Sequence, residues 1–241
     1  GWQALRERRW LRAKSLDLIP EGAKLAPMRE PLRPWASLSA EEQAVYAARM
    51  EVNAGMLEAM DYHIGRFIEQ LKNDGLFENT VFIVTSDNGP EHSRGDNDWR
   101  LRLWMKLNGY HIDEEGIGEE GSWGFIGPEW AGAAASPGNL FKFYAAEGGI
   151  HVPLIVAGPG ISAGMRQDAM ANVIDIAPTL VDLAGIGTEL PDARPMSGRS
   201  LAPLLRLETD SVYGETDAVA VEVSGNSAFI RGDYKITRNQ R

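Results

Sequence analysis

Apolar residues at Val45, Val52, Met56, Met60, Ile64, Phe67, Ile68 and Leu71 recur mainly at three- and four-residue steps, the spacing that lines one face of an α-helix. Ser39 and Glu42 just ahead of this stripe have the spacing of a capping box, and Gly75 beyond it supplies a left-handed stop. A long helix is predicted between them. Residues 80–85 then form a short β-branched and aromatic run, which predicts a strand buried on both faces and, with the helix before it, an α/β unit. Residues 153–157 predict a second buried strand. Residues 175–184 predict a helix capped by Asp175, stopped by Gly185 and tolerant of Pro178 in its first turn. Near the end, 218–223 and 227–237 have strand character, with Gly225-Asn226 and Gly232-Asp233 as turns.

Two stretches lack this regularity. Residues 1–35 mix basic side chains with Pro20, Pro27, Pro31 and Pro34, which predicts a short helix and then an extended linker that wraps over a surface without building a core. Residues 89–138 are rich in glycine, proline, acidic residues and tryptophan, with 101–107 as the only short helix expected. Connections of this length are uncommon inside compact domains and are often functional loops or lids, although a variable insertion has the same pattern. No internal repeat or low-complexity tract is present.

Composition removes several function classes. The chain contains no cysteine, so disulfides, thiolate metal sites and cysteine-derived nucleophiles are excluded within it. A formal net charge of -10 over 241 residues disfavours a nucleic-acid partner, which requires a basic footprint. The basic run Arg6, Arg8, Arg9, Arg12 and Lys14 reads as a solvated helix face. No window approaches the roughly 18 consecutive apolar residues of a membrane helix. Early charges interrupt any signal peptide, so an export signal would lie upstream of Gly1.

Candidate chemistry begins at Ser86-Asp87-Asn88-Gly89, directly after the first strand. In open α/β sheets ligands bind beyond the carboxyl ends of strands, and a carboxylate beside an amide oxygen offers hard donors for calcium or magnesium. An ordinary Asp-Asn-Gly turn explains the same residues. Lys142, between Phe141 and Phe143, could hold a sulfate or phosphate oxygen as a compact point charge; a surface lysine among core aromatics is its bland alternative. Of the histidines, His63 reads as structural, His92 lies close enough to the turn to face a ligand, and no histidine spacing supports a transition-metal site. Asp96-Asn97-Asp98 lacks EF-hand spacing and reads as a solvated turn. Trp99, Trp104, Trp123 and Trp130 could frame an aryl or sugar substrate, or simply pack the excursion.

With these residues in view, the chain resembles the sulfatase family, especially the bacterial arylsulfatases of the alkaline phosphatase superfamily, nearly end to end. The opening 1–6, the stretch 19–27, Arg49-Met50-Glu51, Gly127-Pro128-Glu129-Trp130-Ala131, Gly148-Gly149-Ile150, Val152-Pro153, 194–201 and 231–236 follow the family's landmarks in order. His151 departs from the arginine usual there. The resemblance implies that Asp87 and Asn88 are ligands of one calcium ion, whose remaining ligands lie upstream of this chain, and that Lys142 is a catalytic, sulfate-contacting residue. Related phosphate-processing enzymes commonly carry histidine where Asn88 stands.

The resemblance also implies a fold: α/β, part of an alkaline-phosphatase-like mixed sheet flanked by helices, with the start of a small C-terminal antiparallel sheet. Residues 1–205 would be the later part of the catalytic domain and 206–241 the start of a small C-terminal subdomain. The family's nucleophile is a formylglycine that hydrates to a diol, attacks sulfur, expels the alcohol and releases sulfate as the aldehyde reforms. Its Cys/Ser-x-Pro/Ala-x-Arg motif is not in this chain, so a missing N-terminal half of the same protein is implied, and the chain alone is expected to be inactive. An aryl or carbohydrate sulfate ester is the implied substrate, and a periplasmic or secreted location is common in the family. A phosphoester hydrolase of the same superfamily and a non-catalytic binding protein are the alternatives.

Overall fold

A computed structural model of the chain describes residues 1–29, 32–94, 98–111, 116–187 and 194–239. Helix α1 (Trp2–Ser15) opens the chain. Its N-terminal end builds core, contrary to the surface-wrapping role expected of this stretch: Trp2 is fully buried with Leu38, Tyr46, Trp130 and Ala133. Edge-on ring contacts of 4.8 Å to Trp35, 5.4 Å to Tyr46 and 5.5 Å to Trp130 surround it, the geometry that aromatic quadrupoles favour. Both buried indoles find acceptors, Trp2 Nε1 donating to the Arg33 carbonyl and Trp130 Nε1 to the Tyr46 carbonyl, each at 2.9 Å.

Helix α2 (Ala40–Asn73) begins at the capping box, with the Ser39 hydroxyl accepting from the Glu42 amide and the Glu42 carboxylate accepting from the Ser39 amide. It ends before Gly75, which adopts φ +69°. The apolar stripe of α2 is largely uncovered. Met56, Met60 and Phe67 are 60%, 52% and 57% exposed, because no described element lies along that face.

The strands differ from expectation in their burial. β1 (Phe82–Thr85) and β2 (Leu154–Ala157) pair antiparallel, Phe82 opposite Ala157 and Thr85 opposite Leu154. They form a two-stranded sheet among the described residues. Neither is buried on both faces; Val84 is 42% and Ile155 61% exposed. Their composition suits a covered sheet, but the described residues provide neither a flanking strand nor a helix layer over it.

The excursion contains two helices where one was expected. α3 (Trp99–Leu107) starts at Asp98, whose carboxylate accepts from the Arg100 and Leu101 amides, so Asp98 is a helix cap and not a solvated turn. Asp96 and Asn97 lie outside the described residues. α4 (Gly127–Ala134) packs on α1 and carries Trp130 into the core. Its Gly127, Pro128 and Gly132 disguise a helix in sequence, although proline is compatible with a first turn.

A single helical turn, α5 (Glu147–Ile150), precedes β2. After β2, a 3-10 turn (Val173–Asp175) leads into α6 (Ile176–Leu183). Asp175 is the N-cap residue of α6, but its side chain makes no capping bond to that helix and closes a capping box with Asn172 at the 3-10 turn. The fully buried carboxylate instead accepts from the Asn172 amide at 2.7 Å, the Arg199 amide at 2.8 Å and the Tyr213 hydroxyl at 2.8 and 2.9 Å. Burial, and then the bond to Asp175, push the Tyr213 phenol up to about 12. Following α7 (Ala202–Leu205), a second sheet forms from β3 (Ala218–Val223), β4 (Asn226–Arg231) and β5 (Tyr234–Arg238), antiparallel in that order. The 227–237 stretch is therefore two strands hinged at Gly232-Asp233.

Candidate active site

The carboxyl end of β1 delivers Asp87 and Asn88 into a turn stiffened by the Ser86 hydroxyl, which donates to the Asn88 carbonyl at 2.8 Å. Thr85 Oγ1 donates to the Pro153 carbonyl at 2.9 Å and ties the strand end to the entry of β2. Asp87 is exposed and Asn88 half-buried. Their side-chain oxygens have no hydrogen-bond partner among the described residues, which leaves both hard donors available. That donor chemistry fits calcium, although two ligands fall short of the roughly six to eight that calcium takes. No cluster of three or more histidine, aspartate or glutamate side chains suited to a metal exists among the described residues.

Lys142 is brought to this turn through the backbone. Its amide donates to the Pro90 carbonyl at 3.1 Å, and the Gly89 amide donates to the Gly149 carbonyl at 2.9 Å. The two loops, 86–94 and 139–151, are thereby stitched together. Glycine is required at the seam: a Cβ on Gly89 would fall on the Gly148 carbonyl, and a Cβ on Gly149 on the Tyr144 and Phe141 carbonyls. Backbone therefore meets backbone where a side chain would hold the loops apart.

Glu91, a residue not singled out from the sequence, completes the arrangement. Its Oε2 lies 2.9 Å from Lys142 Nζ, and its Oε1 accepts from the His92 and Ser93 amides and the Ser93 hydroxyl. Burial opposes the Glu91 carboxylate, but the bonds from Lys142 and Ser93 together outweigh it and hold its pKa at about 2. The pair holds the lysine side chain beside the Asp87-Asn88 turn. Because this folded-state pKa is depressed, the contribution is complete above the ordinary value of 4.5 and is lost as pH falls towards about 2. Thermal unfolding across that window is expected to show a steeper acid-side fall in midpoint for the wild type than for Glu91→Gln.

His92 is half-buried among aromatic rings. Its ring packs 4.7 Å from Phe141, 5.7 Å from Phe143 and 6.5 Å from Tyr144, buttressing the lysine loop. His151 bonds to Glu147 through Nδ1 at 2.7 Å. That bond, against some burial, raises the His151 pKa and is the largest of the influences that lower Glu147 to about 2. His63 is an exposed helix residue in contact with Arg66. Among the tryptophans, Trp130 is core. Trp104 and Trp123 form a separate partly exposed cluster with Tyr110, at 5.9 Å between Trp104 and Tyr110 and 5.2 Å between Tyr110 and Trp123.

The loop after Asn88 is anchored at its far end by Arg94. Arg94 Nη2 lies 2.5 Å from Oε1 of the fully buried Glu129, and Nη1 donates to the Tyr46 hydroxyl at 3.1 Å. A charged tether thus connects the site to the aromatic core.

Comparison with known proteins identifies the family. The family model described as Sulfatase matches residues 21–186, and the chain belongs to the sulfatase family. An uncharacterized sulfatase of Schizosaccharomyces pombe is 33% identical over 247 residues, covering 98% of this chain and 44% of that protein. An arylsulfatase of Klebsiella aerogenes is 32% identical over 211 residues, covering 85% of this chain and 45% of that protein. The chain therefore spans somewhat less than half the length of these relatives. Among solved structures, a 2-O GAG sulfatase is similar with a TM-score of 0.45 at 19% identity, over 91% of this chain and 44% of that one. A phosphonate monoester hydrolase from Silicibacter pomeroyi is similar with a TM-score of 0.44 at 22% identity, over 74% and 30%.

Proposed function

We propose that this chain is the later part of a sulfate ester hydrolase, contributing two calcium ligands, Asp87 and Asn88, and a sulfate-binding lysine, Lys142. The observation that carries the reading is the seam that joins the lysine loop to the Asp87-Asn88 turn, with Lys142 hydrogen-bonded to Pro90 and paired with Glu91 at 2.9 Å. Family membership supports the reaction class. In this reading residues 1–205 belong to the catalytic domain, and the separate β3–β5 sheet supports 206–241 as the start of a small C-terminal subdomain.

Bound calcium would supply Lewis-acid polarisation of the sulfate oxygens. The work of this chain's residues is positional. Asp87 and Asn88 offer oxygens at the end of a strand, and Lys142 directs an ammonium at a non-bridging sulfate oxygen, where negative charge is stabilised as the ester bond breaks. Glu91, 2.9 Å away, keeps that ammonium aimed. The formylglycine nucleophile and the remaining metal ligands are assigned to sequence preceding Gly1, so residues 1–241 alone are inactive. The substrate is an aryl or carbohydrate sulfate. A periplasmic or secreted setting suits the reading; no described helix is long and apolar enough to cross a membrane.

Paired assays of the full-length, matured protein on 4-nitrophenyl sulfate and 4-nitrophenyl phosphate test the reaction class. Higher kcat/KM on the sulfate, lost in Asp87→Ala, is expected. A clear preference for the phosphate would reassign the protein to phosphoester hydrolysis, and inactivity on both sulfate and phosphate esters would favour a binding role.

A further inference from the structure

The lysine loop is held from a second side, by the C-terminal sheet. Asn226, the first residue of β4, is 6% exposed, and its Nδ2 donates at 2.7 Å to the carbonyl of Phe143, the residue directly after Lys142. Phe143 has φ +73° and Leu140 φ +64°. Non-glycine residues in this region carry strain and persist only where surrounding contacts fix them. Asn226 supplies such a contact at the strained peptide itself. On the neighbouring strand, Lys235 Nζ lies 2.5 Å from Glu147 Oε1, so the sheet grips the loop at both Phe143 and Glu147. The 86–94 loop holds the same segment through the Pro90 carbonyl, which accepts from the Lys142 amide.

We propose that Asn226 is a positioning residue for Lys142: its amide anchors the Phe143 carbonyl, fixes the left-handed turn there, and so sets where the Lys142 ammonium points. This rests on the reading of Lys142 as the sulfate-oxygen contact. It gives the C-terminal sheet a role in the chemistry, since the sheet's first turn determines the geometry of a residue more than 80 positions earlier, 83 in the Asn226–Phe143 bond. An aspartate at 226 is nearly isosteric but lacks the N–H donor, so it separates loss of the bond from loss of packing.

The test uses the full-length, matured protein with Asn226→Ala, Asn226→Asp, Lys142→Ala and the double variant Asn226→Ala/Lys142→Ala. Both Asn226 variants are expected to lower kcat for 4-nitrophenyl sulfate by roughly ten- to a hundred-fold, the scale of a small misplacement in a catalytic site, with KM nearly unchanged. Asn226→Ala should add little in the Lys142→Ala background, because the two act as one unit. A second readout is independent of turnover. Acetic anhydride labelling followed by mass spectrometry should show Lys142 acetylated several-fold faster in the Asn226 variants, with exposed Lys106 unchanged. Equal fold losses from Asn226→Ala with and without Lys142, or wild-type Lys142 labelling in a folded Asn226→Asp protein, would overturn the proposal. If Lys142→Ala retains full activity, the sulfate-contact reading fails, while the labelling still decides whether Asn226 positions the lysine.

Discussion

Lys142→Ala in the full-length, matured protein is expected to lower kcat for sulfate ester hydrolysis by roughly 10²–10³-fold, the loss typical of removing one preorganised group that stabilises transition-state charge. The proposed role rests on how the side chain is held. It is only partly exposed, at 34%, and is held by Glu91 at 2.9 Å. Its backbone is locked to Pro90, so little reorganisation accompanies charge development. Lys142→Arg should recover only part of the activity, since a planar fork does not reproduce a compact ammonium in the same loop. Steady-state kinetics separate the possibilities. A change confined to KM would assign Lys142 to uniform substrate binding, whereas loss in kcat places its interaction in the transition state.

The second large effect is on stability. Arg94→Ala is expected to destabilise the fold by about 3–5 kcal/mol, the usual consequence of leaving a buried charge without its partner. Glu129 is fully buried, Arg94 lies 2.5 Å from its Oε1, and among the described residues its Oε2 has no partner. The remaining support is the Arg33 amide at 3.4 Å, which is too long to replace a guanidinium. Adding Glu129→Gln to Arg94→Ala should restore a large part of the loss by removing the stranded charge. Urea unfolding of the wild type, single variants and double variant measures this directly. Strictly additive destabilisation would mean that the pair is not the tether between the 86–94 loop and the aromatic core.

Much of the fold was legible because local rules and tertiary context agree. Ser39 and Glu42 fix the start of α2, Gly75 its end, and the β-branched runs become β1 and β2. Burial was misread for both strands, whose apolar composition has no covering layer among the described residues. α1 was misread in the opposite direction. Its mean character is basic, yet Trp2, Arg6 and Ala13 are buried, and an average over a short polar helix conceals them. α4 was hidden by Gly127, Pro128 and Gly132, which signal a loop unless the proline sits in a first turn.

The candidate site divides along similar lines. Asp87 and Asn88 were visible as hard donors after a strand, and Lys142 came into view through the family resemblance. Glu91 followed a proline in what reads as an exposed turn, and nothing local indicates that it meets a lysine 51 positions later (142 minus 91). Asn226 resembled an ordinary turn residue beside Gly225. Its reach to Phe143 depends on how the C-terminal sheet docks, which sequence spacing does not encode.

The central claim, that these residues are one part of a sulfatase site completed by preceding sequence, is tested most directly by hydrolysis of 4-nitrophenyl sulfate with calcium present. Residues 1–241 alone would be compared with the protein extended through its upstream half and exposed to the formylglycine-generating enzyme. Turnover only by the extended protein, lost in Asp87→Ala and Lys142→Ala, is the expected result. Turnover by residues 1–241 alone, or undiminished turnover in both variants, would contradict it.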